Sequence, residues 1–514
     1  MARDNTLVET RSGPIRGLDD GRVTAWKGVR YAAPPVGELR WRAPQPVEPW
    51  TAVADATEYG FVCPQPVDPR IPFELGAPQG EDCLTLNVWA SSDTAAGDRK
   101  PVMVWVHGGA YILGSASQPL YDGRGIAGDG EVIVVTMNYR LGALGFLDLS
   151  EFDSPRRRFD SNLGLRDVLA ALAWVRDNIA AFGGDPDRVT LFGESAGAGI
   201  ITTLLTSPAA EGLFAGAIAQ SSPATSVYDI ARARRVARQV LDRLHLSESE
   251  VDRLPEIPVQ TIVTASTDVF YETPRSNPGT LAFAPNVDGD LVPDYPVKLA
   301  RDGRSHPVPL IIGTNKHEAA LFKWMKSPLM PITSEAISAM FSQIAAEQPD
   351  LALPTDYHTR AAYARLRGKA RGLGVARDLG FRMPSVWFAE GHSAVAPVYV
   401  YRFDYATPML RLLRIAAAHA TELPFVWGNL DTGAKDPTFK LGGRRTGRTV
   451  SDRMRTRWVN FAVGGKPTGL AGEPDWPHYQ EPDWASLLID RQDSVVADID
   501  NDIRATWPQV LNFK

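Results

Sequence analysis

The chain has 514 residues, 44% of them hydrophobic and 22% charged, a globular balance in a chain able to bury roughly three quarters of its unfolded surface. A net charge of −6 is slight for this length and gives no basis for nucleic acid or an acidic membrane surface as partner. No run of about 18 apolar residues occurs, so no transmembrane helix is expected; the start, Met1 to Thr6, lacks a secretory pattern, so a cytoplasmic location is the expectation.

The first thirty or so residues alternate, with turn signals at Ser12-Gly13-Pro14 and Asp19-Asp20-Gly21, and read as a small antiparallel meander. From about residue 100 the pattern becomes buried strands alternating with amphipathic helices. Val102–Val106 and Val132–Val135 are continuous apolar runs, as expected of strands covered on both faces. Leu165, Val168, Leu169, Leu172, Val175, Ile179 and Phe182 then recur at helical spacing. Arg188–Phe192 is a further strand, followed by a helix through Ile200 to Leu205, and later strands are expected at Val308–Gly313 and Pro397–Phe403. This order predicts one large α/β domain over 1–514 with a mostly parallel central sheet. The stretches at about 225–275 and 325–390 are richer in helix and are expected to form a helical cap over that sheet.

Gly193-Glu194-Ser195-Ala196-Gly197 matches Gly-x-Ser-x-Gly, a pattern for which about 0.2 matches are expected by chance at this composition. Its setting makes it specific: it ends a strand and opens a helix, as a serine on a tight nucleophile turn requires. The alternative is a glycine-rich turn with an idle serine. A serine hydroxyl also needs a base, an orienting acid and donors for the oxyanion. His107-Gly108-Gly109 leaves the Val102–Val106 strand, and the amides of Gly108, Gly109 and Ala196 are the candidate donors. A phosphate-binding turn is the rival reading of these glycines, but no lysine or glycine pattern of that kind follows. Glu318, after the Val308–Gly313 strand, is the candidate acid. Position leaves His317 and His419 competing for the base, and His317, adjoining the acid, fits poorly. Ser195, Glu318, His419 is the serine–acid–histidine order of α/β-hydrolases. His107 is read as part of the oxyanion loop through its backbone, and His245, His306, His358, His392 and His478 as solvated or structural.

Several motifs resemble the type-B carboxylesterase family, along nearly the whole chain. They are Tyr31-Ala32-Ala33-Pro34-Pro35-Val36-Gly37 with Leu39-Arg40-Trp41, the run Glu81 to Val88, Asn138-Tyr139-Arg140-Leu141-Gly142, Phe182 to Pro186 and Val287 to Asp290. Glu194 before the serine, and His419-Ala420-Thr421-Glu422-Leu423-Pro424-Phe425, complete the likeness. The run Leu423 to Asn429 is closest to the bacterial para-nitrobenzyl esterase branch. The resemblance implies an α/β-hydrolase fold with a cap over an active-site gorge, and Ser195, Glu318 and His419 as catalytic triad. It implies hydrolysis of small to medium apolar carboxylic esters without cofactor or metal, and a Cys63–Cys83 disulfide. Cholinesterases carry a tryptophan in the loop between those cysteines; residues 64–82 have none, so a choline ester is not the expected substrate.

Amidase, carbamate hydrolase or acyltransferase activity with the same triad is the alternative, and a non-catalytic binding module a weaker one. Arg232, Arg234, Arg235 and Arg238 read as a solvated helix face. Asp288-Gly289-Asp290 lacks the closing glutamate of a calcium loop, and no His/Cys cluster has zinc spacing. The expected partner is a small-molecule ester; monomer and dimer both stay open.

Overall fold

The computed structural model describes residues 5–67, 74–431 and 436–512. Its strands are β1 (Leu7–Thr10), β2 (Gly13–Arg16), β3 (Leu18–Asp19), β4 (Val23–Arg30), β5 (Ala54–Asp55), β6 (Thr85–Ser91) and β7 (Lys100–Val106). They continue as β8 (Ile133–Met137), β9 (Gly184–Glu194), β10 (Gly216–Gln220), β11 (Leu310–Asn315), β12 (Val398–Phe403), β13 (Ser486–Ile489) and β14 (Ser494–Val496). Eleven of them form one sheet in the order β14-β13-β12-β11-β10-β9-β7-β8-β6-β4-β3. The run from β13 through β8 is parallel, and the flanking pairs are antiparallel. This is the α/β-hydrolase arrangement.

Continuous apolar strands serve this sheet because both faces are covered. Along β7, Val102, Val104 and Val106 join one core with the helix Leu163–Asn178, while Met103 and Trp105 join another with Phe192, Trp427 and Trp458. Alternate side chains of one strand thus feed opposite cores. The N-terminal meander divides: β1 and β2 pair with β5 in a separate three-stranded sheet, and β3 and β4 edge the main one. Gly17 sits at the division, where a Cβ would lie 2.5 Å from the Ala25 carbonyl. The helical stripe ends earlier than its periodicity suggests, at Asn178, and continues as a 3-10 turn over Ile179–Phe182.

Beyond β10 the chain forms the helices Ile230–Arg243 and Val259–Ser276, and beyond β11 the helices Ser334–Glu347, Gly368–Arg377 and Met383–His392. Arg234 and Arg238 face Glu151, and Arg243 faces Glu272, an ion-paired surface, whereas Arg232 departs from the solvated face expected of it: it is buried and lies 4.5 Å over the Tyr228 ring. Among the described residues, no helix is long and apolar enough to cross a membrane.

The Asn138–Gly142 motif is anchored by a buried ion pair. Arg140 donates through Nε (2.8 Å) and Nη2 (2.7 Å) to Asp167, which also accepts the Arg140 backbone amide at 3.0 Å. The two side chains are 3% and 0% exposed, so removing either charge strands the other out of water. Asp167→Asn should destabilise the protein by about 3–5 kcal/mol, read as a shift in urea unfolding. A loss as small as that of a surface pair would contradict this.

Candidate active site

Four segments that carry chemistry leave the sheet at the carboxyl ends of parallel strands, where such sheets hold their ligands. β7 runs into His107-Gly108-Gly109, β9 into Ser195, β11 toward Glu318 and β12 toward His419. Ser195 sits between β9 and the helix Ala196–Leu204 with φ 57° and ψ −123°, a strained conformation for a residue with a Cβ. Its flanking glycines are required by close approach. A Cβ on Gly193 would lie 2.6 Å from the Val106 carbonyl, and one on Gly197 would lie 2.1 Å from it.

Across this edge the side chains meet. The Ser195 Oγ and His419 Nε2 are 2.8 Å apart, and His419 Nδ1 lies 2.7 Å from Glu318 Oε2. The other Glu318 oxygen accepts the Ser221 hydroxyl and the Asn315 amide, both at 2.6 Å. Asn315 also donates through Nδ2 to the Ala418 carbonyl at 2.6 Å, which holds the loop carrying His419. Every triad residue named from the sequence is therefore in contact with its expected neighbour.

Gly108 packs against the serine, since a Cβ there would lie 3.1 Å from Ser195 Cβ. Gly109 has φ 122°, a glycine conformation that turns the chain after β7. Among the described residues, none accepts a hydrogen bond from the amides of Gly108, Gly109 or Ala196. Three free donors at a helix N-terminus and a glycine turn suit a developing negative charge. The His107 ring stabilises this loop from behind. It stacks on Tyr139 at 4.4 Å, its Nδ1 is 2.8 Å from the Gly108 carbonyl, and its own carbonyl accepts the Tyr139 hydroxyl at 2.7 Å. Burial pushes its imidazole down to about 4, so it stays neutral.

Two further carboxylates enter the site. Glu194 Oε1 lies 3.1 Å from His419 Nε2, and Glu422 accepts from Gln220 Nε2 at 3.1 Å and from Asn315 Nδ2. Burial works against the charged form of His419, but Glu194 and then Glu318 outweigh it and push the imidazole up to about 9. Burial likewise pushes Glu194 up to about 8, with His419 opposing. The Glu194–His419 pair therefore titrates as a unit, shifted above an ordinary histidine. Burial first, and Glu318 next, raise Glu422.

The remaining histidines stand apart. His317 is exposed, and its backbone amide donates to the Ala417 carbonyl at 2.8 Å. His392 is fully buried, not surface-like, and is held by Ser305 and the Val308 carbonyl. Asp288 supports a loop through Ser161 and Asn162. Cys63 and Cys83 are both buried and free, so the disulfide implied by the resemblance is not formed here. The Cys63 sulfur instead accepts the Leu141 amide at 3.3 Å and donates toward the Pro64 carbonyl at 3.8 Å. Ser221, Asn315 and Gln220 carry no local signature in the sequence. Glu194 and Glu422 lie within its motifs, but as positions without a role.

A model of the carboxylesterase family matches residues 4–507. The chain is similar to the para-nitrobenzyl esterase of Bacillus subtilis, 38% identical over 97% of each chain. It is also similar to the phenmedipham hydrolase of Pseudarthrobacter oxydans, 33% identical over 96% of each. Among solved structures, a para-nitrobenzyl esterase superposes with a TM-score of 0.86 at 38% identity, covering 98% of this chain and 99% of that one. A Geobacillus stearothermophilus carboxylesterase does so with a TM-score of 0.83 at 35% identity, covering 98% and 100%.

Proposed function

The chain belongs to the carboxylesterase family and is a carboxylic ester hydrolase, and on that premise we propose that Ser195, His419 and Glu318 carry the reaction. The observation that supports this most is the linear relay from Ser195 Oγ to His419 Nε2 and from Nδ1 to Glu318. His419 takes the Ser195 proton as Oγ attacks the ester carbonyl, and Glu318 holds the tautomer with the proton on Nδ1. The amides of Gly108, Gly109 and Ala196 receive the oxyanion of the tetrahedral intermediate. As it collapses, His419 returns the proton to the departing alcohol oxygen. Water, deprotonated by the same histidine, then attacks the acyl-enzyme and releases the acid.

In this reading the helices at about 225–275 and 325–390 cap the site. Ala110 and Leu113 of the oxyanion loop, Phe270 and Tyr271 of Val259–Ser276, and Leu329 line a cavity of about 390 Å³ that also contains the Arg243–Glu272 pair. Asp268, Arg275 and Lys326 share its lining, so the apolar residues beside the oxyanion loop are the part that the body of a small to medium ester would meet. Amide or carbamate hydrolysis by the same triad is the second reading, favoured by the likeness to a phenmedipham hydrolase. Turnover of matched ester and amide substrates separates the two. An organophosphonate probe tests the assignment itself: one label is expected, on the peptide bearing Ser195, and a label elsewhere would reject it.

The base works only when neutral, so kcat/KM should rise with pH through the titration of the Glu194–His419 pair. Because neighbouring carboxylates hold a proton on this pair, the acid limb should lie above the ordinary histidine value of ~6.5. Glu194→Gln removes the first of those charges and should move the limb to lower pH. A pH–rate profile with the limb unmoved would count against it.

A further inference from the structure

We propose that Phe381 is a positioning residue for His419, delivered to the imidazole by a π-helical turn. The inference rests on the reading of His419 as the base. Between the helices Gly368–Arg377 and Met383–His392 the chain widens into a π turn over Asp378–Arg382, closed by the Met383 amide on the Asp378 carbonyl. Pro384 supplies a local reason: it has no N–H for the Gly380 carbonyl one α-turn back. Such turns recur at functional sites.

Buried groups lock both ends of this turn. Asp378 accepts from Arg377 at 2.6 and 2.9 Å and from the Tyr363 hydroxyl, which accepts Trp507 Nε1 at 2.7 Å. Arg382 donates to Asp500 at 2.9 and 2.6 Å and to Thr314 Oγ1 at 2.8 Å, beside the Asn315 that orients Glu318. The turn is therefore fixed to β11 and to the C-terminal segment together.

Between these anchors Phe381 meets the base. Its ring centroid is 4.4 Å from that of His419 at 32°, and Phe322 stands 5.2 Å from the imidazole at 39°. The two phenyl rings are 5.9 Å apart, so the three rings form a closed triangle. Phe322 arrives with the acid, four residues along the same chain; Phe381 arrives only through the π turn. Hydrogen bonds hold the two nitrogens of the imidazole, and Phe381 covers its face. That contact opposes ring rotation, keeps water from competing for Nε2, and favours the imidazolium formed in the transition state.

The test is steady-state hydrolysis of para-nitrophenyl acetate and hexanoate by Phe381→Leu, Phe381→Tyr and His419→Ala. Phe381→Leu should lower kcat about tenfold on both esters with KM nearly unchanged, and Phe381→Tyr should restore it. A loss that appears in KM and grows with acyl length would make Phe381 a wall of the acyl pocket and overturn the proposal, as would unchanged kcat. Phe381→Met serves in its place if Phe381→Leu unfolds at a lower temperature. If His419→Ala keeps full turnover, the catalytic reading itself fails; if it is inactive while both Phe381 variants are normal, only the positioning role fails.

Discussion

Ser195→Ala should lower turnover of a para-nitrophenyl ester by roughly a millionfold, to the level that binding and oxyanion donors sustain without a nucleophile. The side chain makes one hydrogen bond, to His419 at 2.8 Å, so its loss removes the attacking atom while leaving the sheet and the oxyanion loop in place. Alanine at φ 57° carries the same backbone strain as serine, and the fold gains no relief to rearrange. Unfolding behaviour should therefore match the parent while kcat collapses. Retained turnover in a folded variant would remove Ser195 from the mechanism.

Glu318→Gln should cost about ten-thousandfold in kcat, and the hydrogen bonds around Glu318 say why. Oε1 accepts the Asn315 backbone amide, a donor that cannot turn round, together with the Ser221 hydroxyl. A glutamine must present its carbonyl oxygen there, which points its NH2 group at His419 Nδ1. Nδ1 is then forced to accept, the imidazole proton moves to Nε2, and Nε2 faces the Ser195 hydroxyl with a hydrogen where it needs a lone pair. The geometry survives and the base is lost. Near-normal turnover would show that another group sets the tautomer, and Glu194, 3.1 Å from Nε2, would be the first to examine.

Strand and helix positions were legible where the pattern is strong. The β7 run and the Leu165–Phe182 stripe are long and apolar enough to declare themselves, and the observed elements lie within a few residues of them. β10 was not legible. It is Gly216-Ala217-Ile218-Ala219-Gln220, too small in its side chains to show either alternation or a continuous apolar run, and its place is set by pairing with β9 and β11. The N-terminal meander misled for a related reason. Alternation reveals that strands exist, but not which sheet each joins, and β1 and β2 find β5 while β3 and β4 find the main sheet.

The sequence by itself determined the class of fold and marked Ser195 as the candidate nucleophile, because these depend on local pattern: the Gly-x-Ser-x-Gly run between a strand and a helix, the turn at Gly109, the periodicity of each element; the close approach to Val106 that excludes a Cβ at Gly193 and Gly197 is tertiary. The order of serine, acid and histidine was also written there. Only the tertiary structure decided that Glu194 and Glu422 surround His419, that Ser221 and Asn315 bond to Glu318, and that a π turn brings Phe381 onto the imidazole. Those groups lie on separate strand ends, the base 224 residues from the nucleophile and 101 from the acid. No local periodicity encodes such a meeting; it arises when the parallel strands align their carboxyl ends and the burial of both sheet faces holds them there.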